Sequence, residues 1–218
     1  MRQSVNRTKI EWATHVWNPI KGPCPVGCWY CYARRLYGRF HADWPPGKLY
    51  YPDLYEEPRF PKAAGARIFV CSTMELFYPA IGKELRNRIF GIIEAHPEHV
   101  FIVLTKMPDK IDQEMPKNAW LGVSVTNATE TWRINRLLEL SAGKRFVSYE
   151  PMFGRIYHLP KGLDWIIMGQ LTGAIKKPPE RDWVERLVGY AREQGVPVFL
   201  KNNLASIWGG PLIQEFPK

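Results

Sequence analysis

A chain of 218 residues, 45% hydrophobic and 23% charged, has the composition of a soluble globular protein with one large domain. Its longest apolar runs, at 68–71 and 100–104, are strand-sized and far short of a membrane span, and residues 1–9 are too polar for a secretory signal, so a cytoplasmic protein is expected. A formal charge of +9 suits polyanionic partners such as nucleic acid, although the basic residues are only partly grouped (Arg34, Arg35 and Arg39; Lys176, Lys177 and Arg181).

In chain order, the first concentrated feature is Cys24-x3-Cys28-x2-Cys31, with no histidine in the window. Three thiolates can hold three irons of a [4Fe–4S] cube and leave the fourth iron open. A closed zinc site needs four ligands, usually from two separated pairs, and Cys71 stands alone. Disulfides between such near neighbours would close strained loops. Zinc or a purely structural cysteine cluster is the alternative.

Aromatic residues crowd the same region, from Trp12 and Trp17 through Trp29, Tyr30, Tyr32 and Tyr37 to Tyr55. The stretch 44–62 adds Pro45, Pro46, Pro52, Pro58 and Pro61, which predicts an irregular insertion spanning about 41–66. That insertion caps or packs the fold, or it stacks bases with Lys48, Arg59 and Lys62.

From there the rhythm is regular. Strands are expected at 67–72, 100–105, 119–125, 144–150, 163–169 and 196–201, and helices at 82–95, 109–114, 130–140 and 180–193. Continuous apolar strands alternating with helices predict a parallel sheet covered on its outside. No G-x-G-x-x-G and no P-loop is present, so a β/α barrel is the expected architecture, with function at the carboxyl ends of its strands. Those ends read Cys71–Glu75, Thr105-Lys106, Ser124, Ser148–Glu150, Gly169-Gln170 and Lys201–Asn203. Glu150 is a candidate contact for cofactor or substrate, because an isolated buried charge is costly as mere packing. The five histidines show no metal spacing, and 96–99 is expected to be a solvated turn.

The cysteine spacing, with Tyr30 just before the third cysteine, resembles the signature of the radical S-adenosylmethionine enzymes. The resemblance implies a partial (β/α)6-type barrel of parallel strands, with one extra C-terminal strand allowed, as a single domain over 1–218. It places the first strand near 16–20. It implies that Cys24, Cys28 and Cys31 ligate a [4Fe–4S] cluster whose open iron is chelated by S-adenosylmethionine. One electron from an external reductant such as flavodoxin or ferredoxin then yields a 5′-deoxyadenosyl radical that abstracts hydrogen. By the same resemblance Tyr30 lies beside the adenine. Ser72, Thr73 and Glu75 stand where the family carries a Gly-Gly-Glu-like segment for the methionine amino group, here without the glycines. Ser124, Ser148 and Lys106 are further candidate cofactor contacts, Lys106 to the carboxylate.

More closely, Thr8–Trp12, Trp17-Asn18-Pro19, Leu104-Thr105-Lys106 and Ser148–Pro151 resemble a phage-type group of uncharacterised radical S-adenosylmethionine proteins. That resemblance implies fold and cofactor without a substrate. The run Cys28–Tyr32 and the later Cys71-Ser72-Thr73 are similar to spore photoproduct lyase, a DNA-repair enzyme. This implies Cys71 as a hydrogen-atom donor with Tyr32 in the relay, though the chain is much shorter than that enzyme. The other reading of Cys71 is a small buried core residue. Three functions follow as expectations: a radical enzyme acting on nucleic acid or a nucleobase, of which lyase-like repair is one form; a radical enzyme acting on a small molecule or peptide; and a non-catalytic, metal-stabilised nucleic-acid-binding protein.

Overall fold

Stiff β-branched and aromatic side chains, which suit a pleated surface, fill most of the short extended runs of this chain. The computed structural model describes residues 5–40, 58–173 and 175–218. Its strands are β1 (Val5–Arg7), β2 (His15–Trp17), β3 (Arg67–Val70), β4 (Val100–Thr105), β5 (Ala119–Ser124), β6 (Lys144–Tyr149), β7 (Trp165–Met168) and β8 (Val198–Leu200). They follow one another in sequence order in a mostly parallel eight-stranded sheet, with β1 antiparallel to β2. The helices are α1 (Tyr32–Phe40), α2 (Lys83–Glu94), α3 (Trp132–Leu138), α4 (Arg181–Glu193) and α5 (Ala205–Trp208). The protein is therefore mixed α/β. It divides into two compact units, Met1–Trp120 and Leu121–Lys218.

In the first unit, parallel pairing sets Trp17 of β2 opposite Val70 of β3, and Val70 opposite Val103 of β4. Trp17 is fully buried and meets the Phe60 ring edge-on at 5.7 Å; Phe60 meets Phe101 of β4 at 5.4 Å. Helix α2 buries Ile89, Phe90 and Ile93 at helical spacing. Each such side chain contributes about 1.5–3 kcal/mol by leaving water. Arg86, buried on the same helix, is tolerated because Ile81 O, Gln113 Oε1 and Asp112 Oδ1 all accept from its guanidinium.

In the second unit, β6, β7 and β8 are parallel, with Tyr149 opposite Met168 and Met168 opposite Leu200. Trp165 gathers Phe146, Phe199 and Phe216 around it at 5.6, 6.0 and 5.4 Å. Val184, Leu187, Val188 and Ala191 form the buried stripe of α4. The C-terminal residues lie along β8: Leu200 N–H donates to Ile213 O at 2.7 Å and Glu215 N–H to Val198 O at 2.9 Å. Gly122 of β5 is required by close approach, since a Cβ there would stand 2.3 Å from the Phe146 ring.

Several expectations change. The helix expected at 109–114 is only a 3₁₀ turn, Pro108–Lys110, with Ile111 already extended; so short a stretch cannot offset helix nucleation. The helix expected at 130–140 is a 3₁₀ turn at Ala128–Glu130 followed by α3. The first parallel strand runs His15–Trp17 rather than 16–20, and β3 ends at Val70 rather than 72. The 96–99 turn is not wholly solvated: His99 is buried, shares a hydrogen bond of 3.1 Å with Pro61 O, and packs beside Phe60. Most of the expected insertion, residues 41–57, lies outside the described residues. No helix among the described residues is long and apolar enough to cross a membrane.

Candidate functional site

The loop that leaves β2 carries all three clustered cysteines, as half-buried free thiols. Gly27 turns it through a left-handed backbone at φ 71°, a conformation that costs glycine nothing. Cys31 N–H then donates to Cys28 O at 3.1 Å, and this turn leads directly into α1 at Tyr32. Arg34 of α1 reaches back and donates to Gly27 O at 2.9 Å, tying the helix to the loop.

The turn after β3 closes against this loop. Cys71 follows β3 directly at φ 56°, is buried, and donates its N–H to Trp17 O at 2.9 Å. Strand alternation therefore stops before Cys71, and Phe69 and Cys71 do not share a strand face, as a longer β3 would have required. Burial, with the Glu75 carboxylate nearby, pushes the Cys71 thiol far up and keeps it protonated. Ser72 Oγ donates to Asn18 Oδ1 at 3.1 Å, and Tyr32 Oη donates to Ser72 O at 3.0 Å. Thr73 lies in the same turn, half-buried.

Glu75 is 5% exposed and accepts from Thr105 Oγ1 at 2.6 Å, Lys106 N–H at 2.9 Å and Phe77 N–H at 3.2 Å. Burial pushes its carboxyl above the usual range, and these three donors oppose the shift. A carboxylate has about four acceptor positions, so one is left for a ligand's donor. The Cys24 thiol is pushed up by burial and pulled down by the backbone amides of Val26 and Glu75. That amide links the cysteine loop to the Glu75 turn. Lys106 Nζ lies 5.9 Å over the Tyr30 ring, which also meets Trp29 edge-on at 5.6 Å.

Three soft thiol donors with no imidazole, a backbone amide shared from the neighbouring turn, and a buried carboxylate beside them fit an iron–sulfur cluster better than a hard cation. As placed, no three His, Cys, Asp or Glu side chains among the described residues make a closed metal-binding group.

In the second unit, Glu150 follows β6 and Lys201 follows β8, and Lys201 Nζ donates to Glu150 Oε1 in a largely buried ion pair. Gly169, just after β7, leaves room for both: a Cβ there would meet Lys201 Cδ at 3.0 Å and Glu150 Cδ at 3.1 Å. The Asn203 side chain accepts from Gln170 N–H at 3.2 Å and braces the next turn. Ser124 and Ser148 are both buried, and their carbonyls accept from Arg133 and from Val125 N–H. Tyr149 is buried with no partner for its hydroxyl among the described residues.

A family model described as "Protein of unknown function (DUF5131)" matches residues 7–210. The chain belongs to this family. No curated protein and no solved structure matches it.

For this DUF5131 member, contacts in the first unit link Cys24 and Cys71 to Glu75, Glu75 to the Lys106 amide, Lys106 to Tyr30, and Tyr32 to Ser72. Ser124, Ser148 and Glu150 belong to the second unit. The sequence reading missed Thr105 as a donor to Glu75, Asn18 as the anchor of Ser72, Arg34 as the tie to Gly27, and Lys201 as the partner of Glu150. Thr105 and Lys201 stood at strand ends, which was the one available signal.

Proposed function

We propose that this DUF5131 member is a radical S-adenosylmethionine enzyme on a partial (β/α)6 barrel, acting in the cytoplasm on nucleic acid or a nucleobase. The observation that carries this reading is the cysteine loop, with its three half-buried thiols, docked through Cys24 against the buried Glu75 turn. Cys24, Cys28 and Cys31 would hold a [4Fe–4S] cluster, which, with an external one-electron reductant such as flavodoxin or ferredoxin and bound S-adenosylmethionine, supplies a 5′-deoxyadenosyl radical.

The chain's own groups do the rest. Glu75, held by Thr105 and the Lys106 amide, keeps an acceptor position for the cofactor's ammonium. Lys106 is charge-complementary to its carboxylate, and Tyr30 offers a ring beside the adenine. Ser72 and Thr73 supply hydroxyls in the turn between them. Cys71, protonated and buried, is able to return a hydrogen atom to a substrate radical, with Tyr32 in the relay. The net charge of +9 supports a polyanionic substrate.

The test is label transfer. Reconstituted protein with dithionite and S-adenosylmethionine is offered deuterated DNA and RNA oligonucleotides. Deuterium in the 5′-deoxyadenosine is the expected result. Deuterium transfer only from small metabolites or peptides would replace the substrate class.

A further inference from the structure

We infer that Trp29, Tyr32 and the arginine face of α1 form a docking platform for single-stranded nucleic acid at the rim of the cysteine loop. Trp29 is 67% exposed and Tyr32 47%, although such rings bury large apolar areas in protein cores. Both flank Cys31. Their positions are fixed by the chain: the Cys28–Cys31 turn sets the backbone, Trp29 stands edge-on to Tyr30 at 88°, and the Tyr32 hydroxyl donates to Ser72 O. A ring held in place before binding loses little entropy on binding.

The helix that follows these rings carries basic side chains. Arg34, Arg35 and Arg39 are exposed on α1, and the helix contains no acidic residue. Arg34 is oriented by its bond to Gly27 O. Exposed rings interleaved with guanidinium groups match a strand whose bases are unstacked and whose phosphates run past the arginines. A duplex keeps its bases stacked and would use only the arginines. The partner is therefore single-stranded DNA or RNA, or a looped-out segment. Its placement beside the reacting centre rests on the reading of Cys31 as a cluster ligand; the binding itself needs no cluster.

Fluorescence anisotropy on the full chain, reconstituted and cluster-free, tests this with labelled oligonucleotides of about 12 nucleotides, single-stranded and duplex. The single strand is expected to bind more tightly than the duplex of the same sequence. Trp29→Ala should weaken single-strand binding about tenfold, and Trp29→Phe should keep most of it. Arg35→Ala should make the plot of log affinity against log salt shallower by about 0.7 for the one phosphate lost. Equal binding of duplex, unchanged affinity in Trp29→Ala, equal loss in the Ala and Phe variants, or an unchanged salt slope would each overturn the platform. Single-strand binding without S-adenosylmethionine cleavage would retain the platform and remove the enzyme reading. Cleavage without such binding would do the reverse.

Discussion

Cys71 and the three loop cysteines differ in one chemical respect that is open to direct measurement. The loop thiols are half-buried, whereas Cys71 is fully buried beside the Glu75 carboxyl and held as the thiol. Since the thiolate is the nucleophile, alkylation of cluster-free native protein should label Cys28 and Cys31 first, Cys24 more slowly because burial holds its thiol up, and spare Cys71 until the chain unfolds. Mass mapping that finds Cys71 labelled as fast as Cys28 would place it at the surface. At this scale the sequence was most legible where residues are close along the chain, as Cys24, Cys28 and Cys31 are in one loop. Pairings across long separations left no such trace. Lys201 lies 51 positions from Glu150, and Thr105 lies 30 from Glu75. Only the fold brings them together.

At the scale of elements, burial decided what could be read. Strands β4 and β6 and helices α2 and α4 match the expected segments to within one or two residues, because their apolar periodicity is the same thing as their burial. β1 carries Val5, Asn6 and Arg7, half-buried or exposed, and pairs antiparallel with β2, so it had no apolar pattern to show. Helix α1, rich in arginine and lacking an acidic N-terminal turn, likewise gave no signal. Gly122 of β5 has no side chain where the Phe146 ring of β6 packs. Gly122→Ala should therefore destabilise the second unit by about 1–3 kcal/mol through overpacking, read as a lower urea midpoint. A midpoint equal to that of the parent would show that Phe146 does not pack there.

For the whole molecule, the mixed α/β class and a mostly parallel sheet were legible, because both follow from apolar strand runs spaced by helical or irregular segments. The division into two compact units was not, since no Gly- or Ser-rich linker marks residue 120. The central claim is that three thiols of one loop hold a redox cluster. Iron and sulfide content after anaerobic reconstitution tests it most directly. The parent protein should turn brown with about four irons per chain, and Cys24→Ala, Cys28→Ala and Cys31→Ala should each lose that cluster while Cys71→Ala keeps it. A colourless parent binding one zinc, or a full iron complement in any of the three loop variants, would contradict it.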